Sequence, residues 1–573
     1  MLAIINFKQQ IVKMTGSDTI LQCLSKEGVD TVFGYPGGTI MPLYDKLLDY
    51  TSTIHHILTR HEQGSVHAAQ GYARATGNVG VCLATSGPGA TNLVTGIADA
   101  MMDSTPIVAI TAQVVSHSLG TDEFQEVDII GVTMPITKWN YQITSAEEIP
   151  EIIAKAFYIA RTGRPGPVLV DITKDALVAQ VDTFTYEPCK FVRGYYPYPK
   201  LNQTEIDDAI ELINRAERPI IFAGHGIELA NAGDELMAFS EKANIPVAST
   251  IMSLNTINHD HPNYVGMLGM HGSYAPNIKT NEVDVIIGVG LRFDSRVTGR
   301  LAKFAPQAKI IHIEIDRAEI GKIFRPTLSI NCDAKSALKA LTAGIQKGNH
   351  QAWIDSFKPL QQQEIDEVIE NAIHPKSGDI KMGEVVNLIS EKTKGTAIVV
   401  TDVGQNQMAT CRYYKFRQGS KILTSGGLGT MGYGIPAGIG AKVARPEKQV
   451  IAFVGDGGFQ MTAQELGTMA ANNIGLKIVL LNNTYLGNVR QWQDRFFNHR
   501  HSFVDIAGPD YVTIAKGWQV DGQRVIDRKD LSAAIDTMLS DDRPYVLEIA
   551  IEPTEDILPM IEPGTGVGEM KLK

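Results

Sequence analysis

Short apolar runs recur along the chain, and nearly every one empties into a glycine-rich or polar turn followed by a segment with helical spacing. In residues 15–185 the runs fall at 31–33, 55–58, 79–84 and 106–111. The first three lead into GYPGG at 34–38, RHEQG at 60–64 and SGPGATN at 86–92. Runs without alternation suit strands buried on both faces, and strands spaced by helical segments predict a parallel, doubly wound α/β sheet. The rhythm returns at 218–223, 283–289 and 309–315, with GHG at 224–226, GLRFDSRVTG at 290–299, and Glu314 and Asp316 at the end of the third run. It returns again at 397–401, 422–424, 450–454 and 477–481, ahead of DVGQNQ, SGGLGTMGYGIPAGIGAK, GDGG and Asn482-Asn483.

Three doubly wound domains are therefore expected, at 1–185, 202–345 and 378–553. Residues 186–201, rich in Tyr and Pro, read as a linker, and the polar, helix-patterned 346–377 as a surface connector. Residues 554–573 show little apolar pattern and are expected as a loop or lid outside the core. The first and third domains share length and rhythm without a visible sequence repeat.

Composition narrows the function classes. At 573 residues, 44% apolar and 20% charged, the chain describes an ordinary globular protein with more than one core. A net charge of −11 leaves no electrostatic footprint for nucleic acid, and no apolar run reaches membrane-spanning length. Five scattered cysteines without a CxxC pair argue for a reducing compartment and against zinc. The opening MLAIINFKQQIVK lacks a signal-peptide core, so a cytoplasmic protein is expected, with Met14 as a second candidate start.

The densest chemistry lies in 455–483, GDGGFQMTAQELGTMAANNIGLKIVLLNN. Its pattern is strand, helix from about Met461, strand, which brings Asp456 and Asn483 to neighbouring strand ends, the side of a parallel sheet where ligands bind. A carboxylate and an amide carbonyl are hard oxygen donors suited to Mg²⁺, which usually shares its shell with phosphates. Glu62 opens the helical segment after 55–58; taken alone it is most simply a first-turn acid complementing the helix dipole. Arg292 and Arg296, four residues apart, suit phosphates or a solvated helix face equally.

The GDG…NN spacing resembles the diphosphate motif of thiamine diphosphate enzymes. With GYPGG, RHEQ, TSGPGATN, EFQEVD (123–128), GRPGPVLVDITKD (163–175), GMLGMHG (266–272), RFDSRVTG (292–299), DVGQNQM (402–408), GGLGTMGYGIPAGIGA (426–441) and LGNVRQWQ (486–493), the chain is similar over nearly its whole length to the acetohydroxyacid (acetolactate) synthase catalytic subunits. The resemblance implies pyrimidine-binding, FAD-binding and diphosphate-binding domains. It implies Mg²⁺ on Asp456, Asn483 and the Tyr485 carbonyl, and thiamine diphosphate contacts at Gly37, Glu62, Gly429, Met431, Gly455, Gly457 and Gly458. It implies FAD contacts at Arg164, Gly224, Met270, His271, Arg292, Asp294, Arg296, Glu314, Ile315 and Asp333.

The activity it implies is decarboxylation of pyruvate and carboligation to a second pyruvate or to 2-oxobutyrate. In that reading Glu62 works at N1′ of the aminopyrimidine, and Met431 wedges the cofactor into its bend. Trp492 and Arg296 receive the second substrate's alkyl group and carboxylate, with Gln125, Phe124, Lys174 and Lys138 nearby. A homodimer or homotetramer is implied, with Glu62 of one chain facing Asp456 and Asn483 of another, and a regulatory small subunit is a further partner. The chain departs from the family pattern at Asn406 (His), Ala409 (Trp), Asn488 (Met), Trp139 (His) and Ser295 (Asp). Competing readings are a flavin-linked pyruvate oxidase, another carboligase or decarboxylase of this class, and a non-enzymatic scaffold that the presence of Glu62, Asp456 and Asn483 disfavours.

Overall fold

The computed structural model describes residues 14–417 and 419–573; the amino-terminal MLAIINFKQQIVK lies outside them. The chain forms two compact units, one of residues up to Ala73 with Asn78–Tyr195, the other of Arg74–Gly77 with Tyr196–Lys573. Among the described residues no helix is long and apolar enough to cross a membrane.

The first unit holds a six-stranded, wholly parallel sheet in the order His55–Leu58, Thr31–Gly34, Gly80–Ala84, Ile107–Gln113, Val168–Thr173, Trp139–Ile143. Numbered along the chain this is 2-1-3-4-6-5, so the chain turns to opposite sides after Thr31–Gly34 and Gly80–Ala84 and leaves a crevice at their carboxyl ends. Ile107–Gln113 is buried at every position, which is why its sequence shows no alternation. Helices Gly16–Lys26 and Ile149–Arg161 close one face with Ile20, Leu24, Ile153 and Phe157.

The second unit contains two further six-stranded parallel sheets. One runs Tyr264–Met267, Val247–Ser249, Pro219–Ala223, Val285–Val289, Lys309–Ile313, Leu328–Ile330, the order 3-2-1-4-5-6 of dinucleotide-binding folds. The other runs Lys421–Leu423, Ile398–Thr401, Val450–Gly455, Lys477–Asn482, Tyr545–Ala550, Asp521–Val525. That is again 2-1-3-4-6-5, so the shared rhythm of the first and third segments is a shared topology.

Three expectations need correction. The helix after GDG starts at Asp456 itself, because backbone N–H groups at a strand-to-helix turn can begin the helix without waiting for the apolar stripe that marks it in sequence. The 554–573 segment is not outside the core: Ile557, Met560, Ile561, Val567 and Met570 are all buried. Its apolar residues enter the core at irregular intervals from a path of turns and a 3-10 turn at Val567–Glu569, which leaves neither a 2- nor a 3.6-residue period. Within 346–377, Trp353 and Phe357 are buried, and the Trp353 indole N–H donates to Pro219 O at 2.9 Å, so this connector is partly a core element.

Candidate active site

The third sheet brings its polar strand ends together as expected. Gly455 is in register with Leu481, so Asp456 and Asn483 leave adjacent strands at the same edge. Asp456 Oδ1 accepts the Gly457 N–H at 2.9 Å, while Oδ2 is buried with no partner among the described residues. Burial pushes this carboxyl up to about 7, against the opposing pull of the Gly457, Thr484 and Asn483 amides. A cation would answer this unpartnered carboxylate oxygen, and the oxygen donors of Asp456 and Asn483 fit Mg²⁺ sharing its shell with phosphates. Among the described residues no group of three His, Cys, Asp or Glu side chains could hold a metal unaided.

Asn483 is oriented from both sides. Its Oδ1 accepts the Tyr485 N–H at 3.1 Å and its Nδ2 donates to Gln405 Oε1 at 3.2 Å. Gln405 in turn donates to Gln491 Oε1 at 3.0 Å and to Glu555 O at 2.8 Å, tying this strand edge to the carboxyl-terminal segment. Asp402 is a residue whose part sequence reasoning missed. Its buried carboxylate accepts N–H groups from Val403 at 2.8 Å, Gly434 at 2.9 Å and Gly432 at 3.1 Å, anchoring the loop that presents Gly429 and Met431. A Cβ on Gly458 would overlap Asp402 Oδ1, and one on Gly457 would sit 3.2 Å from Met431 Cε. The only signal was an acid at the end of an apolar run.

Helix Gly487–Phe496 follows the Asn483–Tyr485 turn and carries Trp492. The Arg296 guanidinium of the middle sheet lies 6.0 Å from the Trp492 ring centroid, and its Nη1 donates to Met270 Sδ at 3.1 Å. The structure thus unites the two residues expected to receive a second substrate. The buried 555–561 segment braces this edge: Arg490 donates to Glu555 O at 2.9 Å and Asp556 Oδ1 at 3.0 Å, and the Ile561 N–H donates to Met270 O at 2.8 Å. Burial, with the Arg412 and Arg296 cations, pushes His271 down to about 3 and keeps it neutral.

In the middle sheet Gly224 and Gly290 end the two strands flanking the crevice and pack so closely that a Cβ on Gly224 would strike Gly290 O. Arg292 and Arg296 follow and have no ion-pair partner among the described residues, a cationic strand end that fits a dinucleotide's phosphates. Asp294 is engaged as a cap on the Arg296 N–H at 2.8 Å, and Asp333 caps helix Ala334–Gly344 through the Ser336 N–H at 3.0 Å. The backbone of Glu314 and Ile315 is pinned by Asn331, whose Nδ2 donates to both carbonyls at 2.8 and 3.0 Å.

In the first unit Glu62 opens helix Glu62–Thr76 and is 9% exposed. Asn92 Nδ2 donates to Glu62 Oε2 at 2.9 Å, and a Cβ on Gly89 would sit 3.3 Å from Oε1. Gly37 packs on Thr85, whose Oγ1 is 2.8 Å from Thr39 Oγ1, joining the two loops at the crevice. Gln125 holds a left-handed turn at φ +64, with its carbonyl against Gly87; Phe124 and Lys174 are exposed. Arg164 Nε donates to Ser104 Oγ at 2.8 Å. Lys138 is a structural cation here, its ammonium donating to Thr162 O at 2.8 Å and Tyr195 Oη at 3.0 Å. Of the departures, Trp139 stacks on Tyr141 at 5.6 Å and Ala409 is fully buried.

Family models divide the chain as its sheets do. The thiamine pyrophosphate enzyme N-terminal TPP binding domain matches residues 14–132, the central domain 206–341 and the C-terminal TPP binding domain 402–549. These define a thiamine pyrophosphate enzyme. A "Probable acetolactate synthase large subunit" of Methanocaldococcus jannaschii is 45% identical over 96% of this chain and 94% of its own length. The acetolactate synthase large subunit of Lactococcus lactis is 44% identical over 97% and 96%. That of Escherichia coli isozyme 2 is 43% identical over 97% and 99%. The chain belongs to the acetolactate synthase large-subunit family.

Proposed function

We propose that this chain is the catalytic subunit of an acetolactate synthase, condensing two pyruvates to 2-acetolactate and CO₂, or pyruvate and 2-oxobutyrate to 2-aceto-2-hydroxybutyrate, for branched-chain amino-acid synthesis. The observation that carries the reading is the indole and guanidinium of Trp492 and Arg296, placed together in the unit that holds Asp456 and Asn483.

Thiamine diphosphate, when bound, supplies the electron sink that lets a 2-oxo acid lose CO₂. Asp456, Asn483 and the Tyr485 carbonyl would hold Mg²⁺ against its diphosphate, with Gly455, Gly457 and Gly458 leaving room for close approach. Glu62, oriented by Asn92, would hold a proton at the pyrimidine N1′. Met431 would pack under the rings, and Gly37 would line the pyrimidine side. Arg296 binds the acceptor's carboxylate and Trp492 packs on its alkyl group. Gln125 and Lys174 belong to the same site in this reading.

FAD would sit on the middle sheet in a structural role, since carboligation has no net redox step. Arg164 and Asp333 would hold its periphery. A homodimer or homotetramer with active sites between chains goes with this reading, as do a regulatory small subunit and a cytoplasmic location. Incubation of the purified chain with pyruvate, with and without 2-oxobutyrate, tests it by the products. Acetolactate, joined by acetohydroxybutyrate when 2-oxobutyrate is present, is expected; acetate with bleaching of bound flavin would select the pyruvate oxidase reading instead.

A further inference from the structure

Arg412 lies in the last turn of helix Gln405–Tyr413, and Glu364 ends helix Lys358–Glu364 of the connector. Their side chains are each 4% exposed and meet at 2.6 Å. A buried ion pair is a poor source of stability, because desolvation offsets the attraction, so what it fixes matters more than what it contributes. Arg412 Nη1 donates to Gly272 O at 2.6 Å and to His271 O at 3.2 Å, and Glu364 Oε2 accepts the Tyr274 N–H at 2.7 Å. The pair therefore grips the 267–274 turn at three backbone groups.

That turn is braced as one piece. The Ser273 N–H donates to Met267 O at 2.7 Å, the Gly272 N–H to Gly269 O at 2.8 Å and the Gly269 N–H to Asn277 Oδ1 at 3.1 Å. A Cβ on Gly272 would strike Met267 O. Its Met270 meets Arg296 twice: the Met270 N–H donates to Arg296 O at 2.8 Å, and Met270 Sδ accepts from Arg296 Nη1 at 3.1 Å. The place of the Arg296 guanidinium against the Trp492 ring is thus set through a turn that Arg412 and Glu364 hold. Arg412 also stands seven residues after Gln405, the residue that orients Asn483. That spacing puts both on one helix face, about 10 Å apart along the axis.

We propose that Arg412, locked by Glu364, is a positioning residue for the acceptor: its helix spaces Arg296 from the Asp456–Asn483 edge, so that the second 2-oxo acid is held within reach of the first. The inference rests on the acetolactate synthase reading and adds to its site two residues that act through Arg296.

The test uses the full chain loaded with thiamine diphosphate, Mg²⁺ and FAD. Arg412→Met combined with Glu364→Gln removes the grip on residues 271 and 272 without leaving a lone buried charge, and the new amide still offers an acceptor to the Tyr274 N–H. The pyruvate concentration for half-maximal acetolactate formation should rise about tenfold while the limiting rate changes less than about twofold, because a binding contact of the acceptor is loosened and the chemistry of the donor is not. Arg412→Lys keeps the cation but not the two-armed fork, and its value should fall between wild type and double variant, about threefold up. A fallen limiting rate at an unchanged half-saturating concentration overturns the proposal, as does an Arg412→Lys value equal to that of the wild type or of the double variant.

A second measurement needs no turnover. The emission of Trp492, taken as the difference between each protein and its Trp492→Phe counterpart, should shift in the double variant and less in Arg412→Lys, because the cation beside the indole is displaced. An unaltered difference spectrum overturns the proposal. So does an equal change in the emission that remains in Trp492→Phe, which would mark a general loosening. Should the double variant not fold, Arg412→Lys carries both comparisons. A wild type that makes no acetolactate from pyruvate fails the function reading instead, and the emission comparison still decides this one.

Discussion

The two sheets of the second unit both end in a polar crevice, yet they are built on opposite plans. At the third sheet the charged group is buried and its surroundings are fixed: Asp456 is 2% exposed, Asn483 is held at both ends of its amide, and Asp402 gathers the loop beside them. At the middle sheet the charges are cations at the surface, Arg296 exposed and Arg292 half-buried, while the acids Asp294 and Asp333 are occupied in capping helices. Preorganised, desolvated groups serve chemistry, whereas solvated cations serve retention of an anion. In the proposed reading the third-sheet crevice carries the reaction and Arg292 at the middle sheet serves cofactor retention, while Arg296 turns to Trp492 and the acceptor.

The sharpest way to break that contrast is at Asp456. Asp456→Ala should lower acetolactate formation more than about 100-fold with Mg²⁺-dependent thiamine diphosphate binding lost in calorimetry, because it removes the carboxylate proposed to hold the metal. One step outward, Gln405→Leu removes the acceptor that orients Asn483 and should weaken apparent Mg²⁺ affinity about 10–100-fold, read from the metal dependence of turnover. At the other crevice Arg292→Ala should weaken FAD retention about tenfold, measured by flavin released on dilution, and leave thiamine diphosphate affinity unchanged.

The smallest effect concerns the buried tail that braces Gln405 and Arg490. Burial pushes Glu555 up to about 7 from an ordinary 4.5, so the folded state favours its protonated form. Its contribution to stability is complete below about 4.5 and is lost as pH rises through 7. Glu555→Gln stays neutral throughout, keeps an acceptor for the Met382 N–H, and should narrow the gap in Tm between pH 5 and pH 8 by about 3 °C in differential scanning calorimetry.

Much of this arrangement was legible in the chain. The runs at 450–454 and 477–481 show as strands because strands buried on both faces are apolar nearly without interruption, and the strand ends then put Asp456 beside Asn483. Asp402 was not legible, since its importance comes from N–H groups of Gly432 and Gly434 that only the folded loop brings to it. The burial of Met560 and Ile561 was hidden for a related reason, because apolar residues spaced irregularly along a turn-rich segment leave no period. Asp333 shows the converse: a helix cap and a ligand contact use the same residue type, and sequence alone does not separate them.

Turnover of Glu62→Gln is the most direct test of the central claim, that a thiamine-dependent carboligation is driven by an acid placed against the cofactor's pyrimidine. The substitution keeps an oxygen for Asn92 while removing the exchangeable proton. Acetolactate formation from pyruvate should fall about 100-fold or more with Mg²⁺ and thiamine diphosphate still bound. Undiminished turnover in that variant would contradict the account.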